Sequence, residues 1–518
     1  MKARIPLLIA CAMACAVSGV ARADAISDLK ANMEVLQKQL DAVKAQLEQV
    51  TSQVQKQNQE KEKAAMAAPF IQQKPGDALT FVTPGGGEVT LYGNLDVSLD
   101  DTTKGLKSDY GDNGGMPVGK VGWQPSISTN LSYVGVRGKH PLKDDLDFVW
   151  QLEAGIDISA TPGTKETTSN TSDTVNGALF SRNSFIGFTG RDWGGVMIGK
   201  SETPYKTSTD RLNPFSGMLG DYRVMIGNTG GDNRVEFGLR AAHAIWYESP
   251  SWSGASFKAM YSPGQNRDDT SSIVPSGEPD CAGGNIPGSG ALPPTCNDGS
   301  FGDLYSVSAA YQAGPLYLTT AYEMHKNVNR TSDLANLDPR DIGNESAYKI
   351  GGQYTFPTRT TLSALWERTK RSLPSDLESQ NERTRNNATW LALTQVLTEK
   401  DSVSFGWGHA GKSEGVLGVH NSPADQTSFD NSADLYSLAW RHALDKSTTF
   451  YADWAMTVNG ADAHYDLGAG GHGITTDCHD STPLAAFDPT TGTVTGTGPH
   501  CFSGGRVQGF SAGVNYKF

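Results

Sequence analysis

The sequence predicts an all-β fold, a closed 16-stranded antiparallel transmembrane β-barrel, carried behind an N-terminal α-helical coiled coil. Three observations lead there. Segments in which apolar and polar residues alternate with a period of two recur from residue 89 to residue 518. The stretches between them are alternately short and long. Beyond the first residues no run of eighteen apolar side chains occurs and the mean hydropathy is −0.41, which rules out membrane helices but leaves membrane strands, whose hydropathy signal is far weaker.

Residues 1–23 read as a signal peptide. Lys2 and Arg4 make a basic start, Leu7 to Val20 an apolar stretch, and Ala21-Arg22-Ala23 a small-x-small cleavage site before Asp24. A lipoprotein reading on Cys11 or Cys15 competes, but Cys11 lies too early to follow a full apolar region. Cleavage leaves Cys281, Cys296, Cys478 and Cys501, two close pairs in Gly/Pro-rich segments, the pattern of loop disulfides in an exported chain. Of three pairings, Cys281–Cys296 with Cys478–Cys501 is the economical one. His472, His479 and His500 surround the second pair without zinc-finger spacing, so neither a metal nor any other cofactor is expected.

Residues 24–63 carry the coiled coil, placed in the periplasm. Ile26, Leu29, Met33, Leu36, Leu40, Val43, Leu47, Val50 and Val54 recur at alternating spacings of three and four, an unbroken heptad seam. So narrow a stripe stabilises a lone helix little, so partner helices are implied. The seam as a whole mixes Leu and β-branched residues at both positions and does not set the oligomer number. Residues 64–88, rich in Ala, Gln, Pro and Gly, read as a linker.

Residues 89–518 are the barrel. From Val89 to Leu99 odd positions are apolar or Gly and even positions are mostly polar; Phe510 to Phe518 repeats the pattern. Similar segments fall near 127–137, 146–157, 179–190, 194–201, 240–248, 255–261, 303–312, 316–325, 346–354, 360–368, 388–396, 401–410, 433–441 and 447–458. Long loops on one rim (100–126, 202–239, 262–302, 459–506) and short turns on the other are the wiring of an outer-membrane barrel, and an even count leaves both termini periplasmic. A sheet in lipid must close, because an open edge would strand its amides. Tyr92, Trp150, Tyr247, Tyr261, Tyr311, Tyr354, Trp407, Trp440, Trp454, Tyr516 and Phe518 fall at strand ends, where interfacial girdles are expected.

Several stretches resemble the trimeric general porins of the Gram-negative outer membrane, most closely the β-proteobacterial type. They are Val89-Thr90-Leu91-Tyr92-Gly93 with Asp96, Gly135-Val136-Arg137-Gly138, Phe148 to Glu153, Leu179 to Phe188, Val196 to Lys200, Asn213-Pro214-Phe215, Tyr247 to Pro250, Tyr451-Ala452 and Tyr516-Lys517-Phe518. The resemblance implies a homotrimer in outer-membrane lipid, passing small hydrophilic solutes and ions. It also implies a third long loop, 202–239, folded inward to narrow the pore. That loop holds Glu202, Asp210, Asp221 and Glu236 beside Arg211, Arg223 and Arg234; Arg182 and Arg240 match wall arginines of the family, and Lys200 stands at a usually basic position. Asp96, Arg137, Glu153 and Lys258 are further pore-facing candidates by strand parity. Two positions depart from the family: Tyr133 and Trp246 stand where basic residues are common, which leaves the sign of selectivity open.

A net charge of −13, or −16 once Lys2, Arg4 and Arg22 leave with the leader, excludes a nucleic-acid partner with a basic footprint. Catalysis is not expected, since Gly-x-Ser-x-Gly, His-Glu-x-x-His and a phosphate-binding glycine loop are all missing. Two alternatives to general diffusion remain: a substrate-specific uptake channel with a disulfide-stiffened vestibule, or an outer-membrane anchor whose coiled coil does the binding.

Overall fold

The computed structural model describes residues 30–52 except 31 and 36, 72–73, 79–105, 121–159 except 157, 182–228, 237–263, 301–329, 342–372, 385–412, 430–468 except 431, 461–462 and 464, 486–488, 493–495 and 505–518. It divides into two compact units, Met1–Gln72 and Gln73–Phe518. The signal peptide, the four loop cysteines, Glu236 and Arg234 lie outside the described residues.

In the first unit residues 30, 32–35 and 37–52 are helical (α1). Met33, Leu40, Val43, Leu47 and Val50 are each more than half exposed. Ile26, Leu29, Leu36 and Val54 lie outside the described residues.

The second unit is the barrel. Its staves are β1 (Glu88–Gly105), β2 (Val121–Thr129 and Tyr133–Lys143), β3 (Leu146–Gly155), β4 (Ser184–Gly190), β5 (Gly194–Glu202), β6 (Arg240–Glu248), β7 (Ala255–Pro263) and β8 (Asp303–Ala313). They continue with β9 (Leu316–Asn329), β10 (Ile342–Thr355), β11 (Thr360–Ser372), β12 (Arg385–Val396), β13 (Asp401–Ala410), β14 (Ala433–Ala443), β15 (Thr448–Asn459) and β16 (Gly505–Lys517). Each pairs antiparallel with the next, and β16 pairs with β1 from Lys517↔Asn94 to Arg506↔Gly105, so the sixteen-stranded sheet closes. Every backbone edge is thereby satisfied, as lipid requires.

Two elements differ from the sequence expectation. The strand expected at 127–137 is broken by a bulge: β1 pairs with both pieces of β2, and Leu131 between them sits at φ 54°. The bulge is held by side chains. Asn130 Nδ2 donates to Ser98 Oγ and the Tyr451 hydroxyl, both at 2.8 Å, while the Asp96 amide donates to Ser132 Oγ at 2.8 Å. The end of the supposed linker is also ordered, since Thr80–Val82 pairs with the start of β1 through a turn in which the Thr83 amide donates to the Gly87 carbonyl at 2.7 Å.

Strands β9 to β11 run beyond their expected ends at 325, 346 and 368, toward the long loops. The added residues, among them Lys326, Asn327, Glu345 and Lys370, are mostly polar on both faces, with Val328 an apolar exception, so alternation faded before the strand did. Tyr92, expected in a girdle, instead points inward, because even positions of β1 (Asn94, Asp96, Ser98, Asp100, Thr102) are the buried ones while Leu99 is 65 % exposed.

Candidate pore constriction

The loop after β5 folds into the lumen. Its described part, 203–228 and 237–239, begins with α2 (Pro204–Ser208), started by Pro204 at the first turn and by Thr203 Oγ1, which accepts the Lys206 amide at 3.2 Å. Two short 3₁₀ turns follow, Asp210–Leu212 and Tyr222–Val224.

One half of the wall anchors this loop through apolar contact. Leu212, Phe215, Leu219, Tyr222 and Met225 are buried in one cluster with Leu365, Trp390, Leu435 and Tyr465. Phe215 meets Trp390 edge-on at 5.8 Å between ring centres, and Trp390 Nε1 donates to the Leu212 carbonyl at 3.0 Å. Room comes from Gly406, where a Cβ would stand 2.3 Å from the Trp390 ring and 2.7 Å from Phe215.

Polar contacts complete the anchoring. The Leu219 amide donates to Asp453 at 3.1 Å, the Gly227 amide to Glu367 at 2.7 Å, the Gly238 amide to Glu323 at 3.1 Å, and Lys349 Nζ to Thr209 Oγ1 at 2.8 Å. The Tyr205 hydroxyl also donates to Glu367. Burial pushes the phenols of Tyr205 and Tyr222 well above their ordinary range, so both stay protonated donors. These contacts run from β8 to β15 and tie the loop to this half of the wall.

Within the loop, Asp221 is fully buried, and the expectation of a pore-lining carboxylate gives way to a structural one. It caps the second 3₁₀ turn, accepting from the Arg223 amide (3.0 Å), Asn213 Nδ2 (2.7 Å) and the Gly217 amide (3.2 Å). Asp210 is the more exposed carboxylate and pairs with Arg223 at 2.5 Å. Burial works against the Arg223 charge, but Asp210 and Asp221 more than offset it and hold the guanidinium ionised. Arg211 binds Gln353 and Gln312 and lies over the Tyr317 ring at 4.8 Å.

The opposite wall, β1 to β6, carries charged side chains that are mostly paired. Arg182 Nε meets Glu153 at 2.7 Å, with both side chains under 10 % exposed, and the Tyr92 hydroxyl donates to the same carboxylate at 2.9 Å. Arg240 meets Glu202 at 3.0 Å and Asn183 at 2.9 Å, and Lys206 of α2 meets Glu202 at 3.1 Å. Arg137 is exposed and lies over the Tyr92 ring at 5.1 Å; Arg182 lies over Tyr133 at 4.9 Å, so the tyrosine at the usually basic position seats a neighbouring guanidinium.

Lys200 sits opposite Ser184 in the β4–β5 ladder, beside the irregularity at Gly199. Asp96 is buried in the wall, accepting from Tyr451 at 2.6 Å and Asn515 at 2.8 Å. Lys258 and Glu248 pair at 3.0 Å nearer the short turns. Trp246 is buried with Met197 and Met260 and meets Phe185 edge-on at 5.2 Å, filling lumen beside β4 to β8.

The sequence reading found the wall arginines and the loop but missed Lys206, Glu367, Lys349 and Trp390. A signal for Trp390 existed: from Trp390 to Leu393 apolar residues occupy both faces of β12, which a strand between lipid and water does not need.

A closed barrel of membrane-crossing strands, narrowed by an inward loop opposite a charged wall, is the architecture of the outer-membrane porins. The family model of the Gram-negative porin matches residues 10–462, and this chain belongs to that family. An outer membrane porin protein of Bordetella pertussis is 24 % identical over 279 residues, 52 % of this chain and 60 % of that protein. The major outer membrane protein P.IB of Neisseria sicca is 28 % identical over 187 residues, 35 % of this chain and 43 % of that protein. The chain thus matches about half the length of these relatives. Among solved structures, an anion-selective porin from Comamonas acidovorans superposes with a TM-score of 0.54 at 18 % identity, over 83 % of this chain and all of that one, a likeness of fold.

Proposed function

We propose that this chain forms a water-filled channel of the outer membrane for passive diffusion of small hydrophilic solutes and ions, working as a homotrimer with both termini in the periplasm. The observation that carries the reading is the lopsided lumen: the loop is packed onto β8 to β15 largely through apolar contacts, which leaves the charged wall of β1 to β6 to border the passage. Charges of both signs across a narrow, low-dielectric opening set up a transverse field, and a polar solute crosses by aligning its dipole and exchanging water for wall contacts. No cofactor enters this account.

The constriction set is Arg182, Arg240, Lys200, Glu202, Asp210, Arg137 and, deeper in the wall, Asp96. Pairing orders these residues. Arg182 is neutralised by Glu153 at 2.7 Å, whereas Arg240 and Lys206 share the single carboxylate of Glu202 and Arg137 is exposed, so the selecting positive charge lies on Arg137 and on the Arg240–Lys206 pair. The assembly reading draws on the outer surface. Exposed rings crowd β8 to β16, among them Tyr322, Tyr348, Tyr354, Trp440, Phe450 and Tyr516. On β1 to β6 the exposed outward residues are mainly aliphatic: Leu99, Ile127, Leu152, Ile186, Ile198 and Ile245. Rings belong at a lipid interface, and a face with few of them suits contact with neighbouring copies.

Zero-current potentials in a planar bilayer under a salt gradient test the reading. Ohmic steps in threes, with Arg137→Ala moving selectivity toward cations, are expected. Folded protein that conducts nothing would overturn the channel.

A further inference from the structure

We infer that α1 is the strand of a parallel, three-stranded coiled coil formed with two further copies of this chain. The inference rests on the trimer proposed above and adds a second, separate clamp to it. Along α1 the described seam residues Met33, Leu40, Val43, Leu47 and Val50 are 54–66 % exposed, a stripe that one helix cannot bury by itself. The spacing of three and four repeats every seven residues, and a period of 3.5 keeps a stripe facing a neighbour only when that neighbour is a helix supercoiling with it. A flat or irregular partner would meet a stripe of period 3.6.

Orientation follows from the flanks, and the number from the trimer proposed above, with which the described heptads agree. With Leu40 and Leu47 at the first seam position of their heptads, Val43 and Val50 take the second. In these two heptads Leu first and a β-branched residue second is the reverse of the order that favours two strands and is compatible with three; the seam as a whole mixes both orders. The residues flanking the seam on one side are Lys30, Gln37, Lys44 and Thr51; on the other they are Asn32, Gln39, Gln46 and Gln53. In a parallel bundle one side meets the other, so Gln39 of one helix lies beside Lys44 of its neighbour and no like charges face. An antiparallel pair would set the Lys30 and Lys44 side against itself. The acids Glu34, Asp41 and Glu48 lie away from the seam, within reach of Lys30, Lys38 and Lys44 three or four residues along the same helix. The flanks therefore offer a foreign charged partner little to read, while they permit self-association. A three-fold axis makes its helices parallel by symmetry.

Gln39→Cys with Lys44→Cys in the full chain tests this, oxidised in membranes and run boiled without reductant beside wild type. The two positions are five residues apart on a helix, too far and too divergent for a bond within one chain. A covalent trimer that wild type does not give is the expected result. Covalent dimers alone, adducts to another protein, or monomers overturn the inference. Monomers from protein that still conducts in steps of three would sink the stalk and leave the channel standing; monomers with single steps would sink the trimer too. A second variant, Leu40→Ser with Leu47→Ser, keeps the barrel intact and is expected to lower the temperature at which trimers dissociate, with conductance per trimer unchanged; an unchanged dissociation temperature counts against the clamp.

Discussion

The two halves of the lumen are built by different physics. On β8 to β15 the inward residues include Leu365, Trp390, Ala392, Leu435 and Ala455, and they bury the loop as a soluble protein buries its core. On β1 to β6 the inward residues include Tyr92, Arg137, Glu153, Arg182 and Arg240, held by ion pairs and ring contacts, with the apolar Met197 and Trp246 confined to the β5–β6 side. The contrast teaches that the constriction is a property of the anchoring half as much as of the charged one. A loop tied only by exposed ion pairs, each contributing at most about 1 kcal/mol, would not hold a fixed opening.

The contrast breaks most sharply at Trp390. Trp390→Ala removes a fully buried ring and its bond to Leu212, with an expected loss of about 3–5 kcal/mol; calorimetry is expected to show a lower unfolding temperature and single-channel records a noisier, larger conductance. Next comes Arg182→Ala, which leaves Glu153 buried without its partner, an expected cost of about 3 kcal/mol with selectivity moving toward cations; Arg182→Ala with Glu153→Gln is expected to recover most of the stability. Arg137→Ala sharpens the comparison from the other side. Its expected signature is a cationward shift in reversal potential with stability changed by less than about 0.5 kcal/mol, since the side chain is exposed.

The smallest effect belongs to a turn outside both halves. Asp445 accepts the amides of Ser447 and Thr448 at 2.7 Å each, and these bonds hold its carboxyl below the ordinary 3.8. Because the folded value lies below the unfolded one, the turn's contribution is complete above 3.8 and is lost as pH falls through the folded value. Acid titration of unfolding temperature for Asp445→Ala against wild type is expected to differ slightly above about pH 4 and to converge in stronger acid.

The sequence made the barrel legible because lipid on one side and water on the other impose a period of two, and sixteen segments carried it. It lost the strand ends where both faces carry polar residues, as at Glu345 and Lys370, and it lost the bulge at Leu131, since the bonds of Asn130 come from Ser98 and Tyr451, distant in the chain. The site was readable by type but not by partner. Arg182 and Arg240 were placed through resemblance, whereas Glu153 as the counter-charge, Asp221 as a cap and Tyr133 as a seat for a guanidinium depend on three-dimensional proximity that spacing does not encode.

The seam between β16 and β1 has a meaning for the order of events in folding. Asn515 Nδ2 donates to Asn94 Oδ1 at 2.8 Å across 421 residues, and Gly93 and Phe518 exchange backbone bonds at 3.0 and 3.2 Å beside them. Every other neighbouring pair of staves can form as a local hairpin, but this one waits for the far end of the chain to be synthesised and exported. Closing so long a loop costs roughly 5 kcal/mol in chain entropy when nothing else is formed, and far less once the fifteen intervening pairings have brought its ends together. Closure is therefore the step at which a half-made sheet is most exposed to wrong pairing, and the step at which a template that caps the free edges of β1 and β16 would act with the greatest effect.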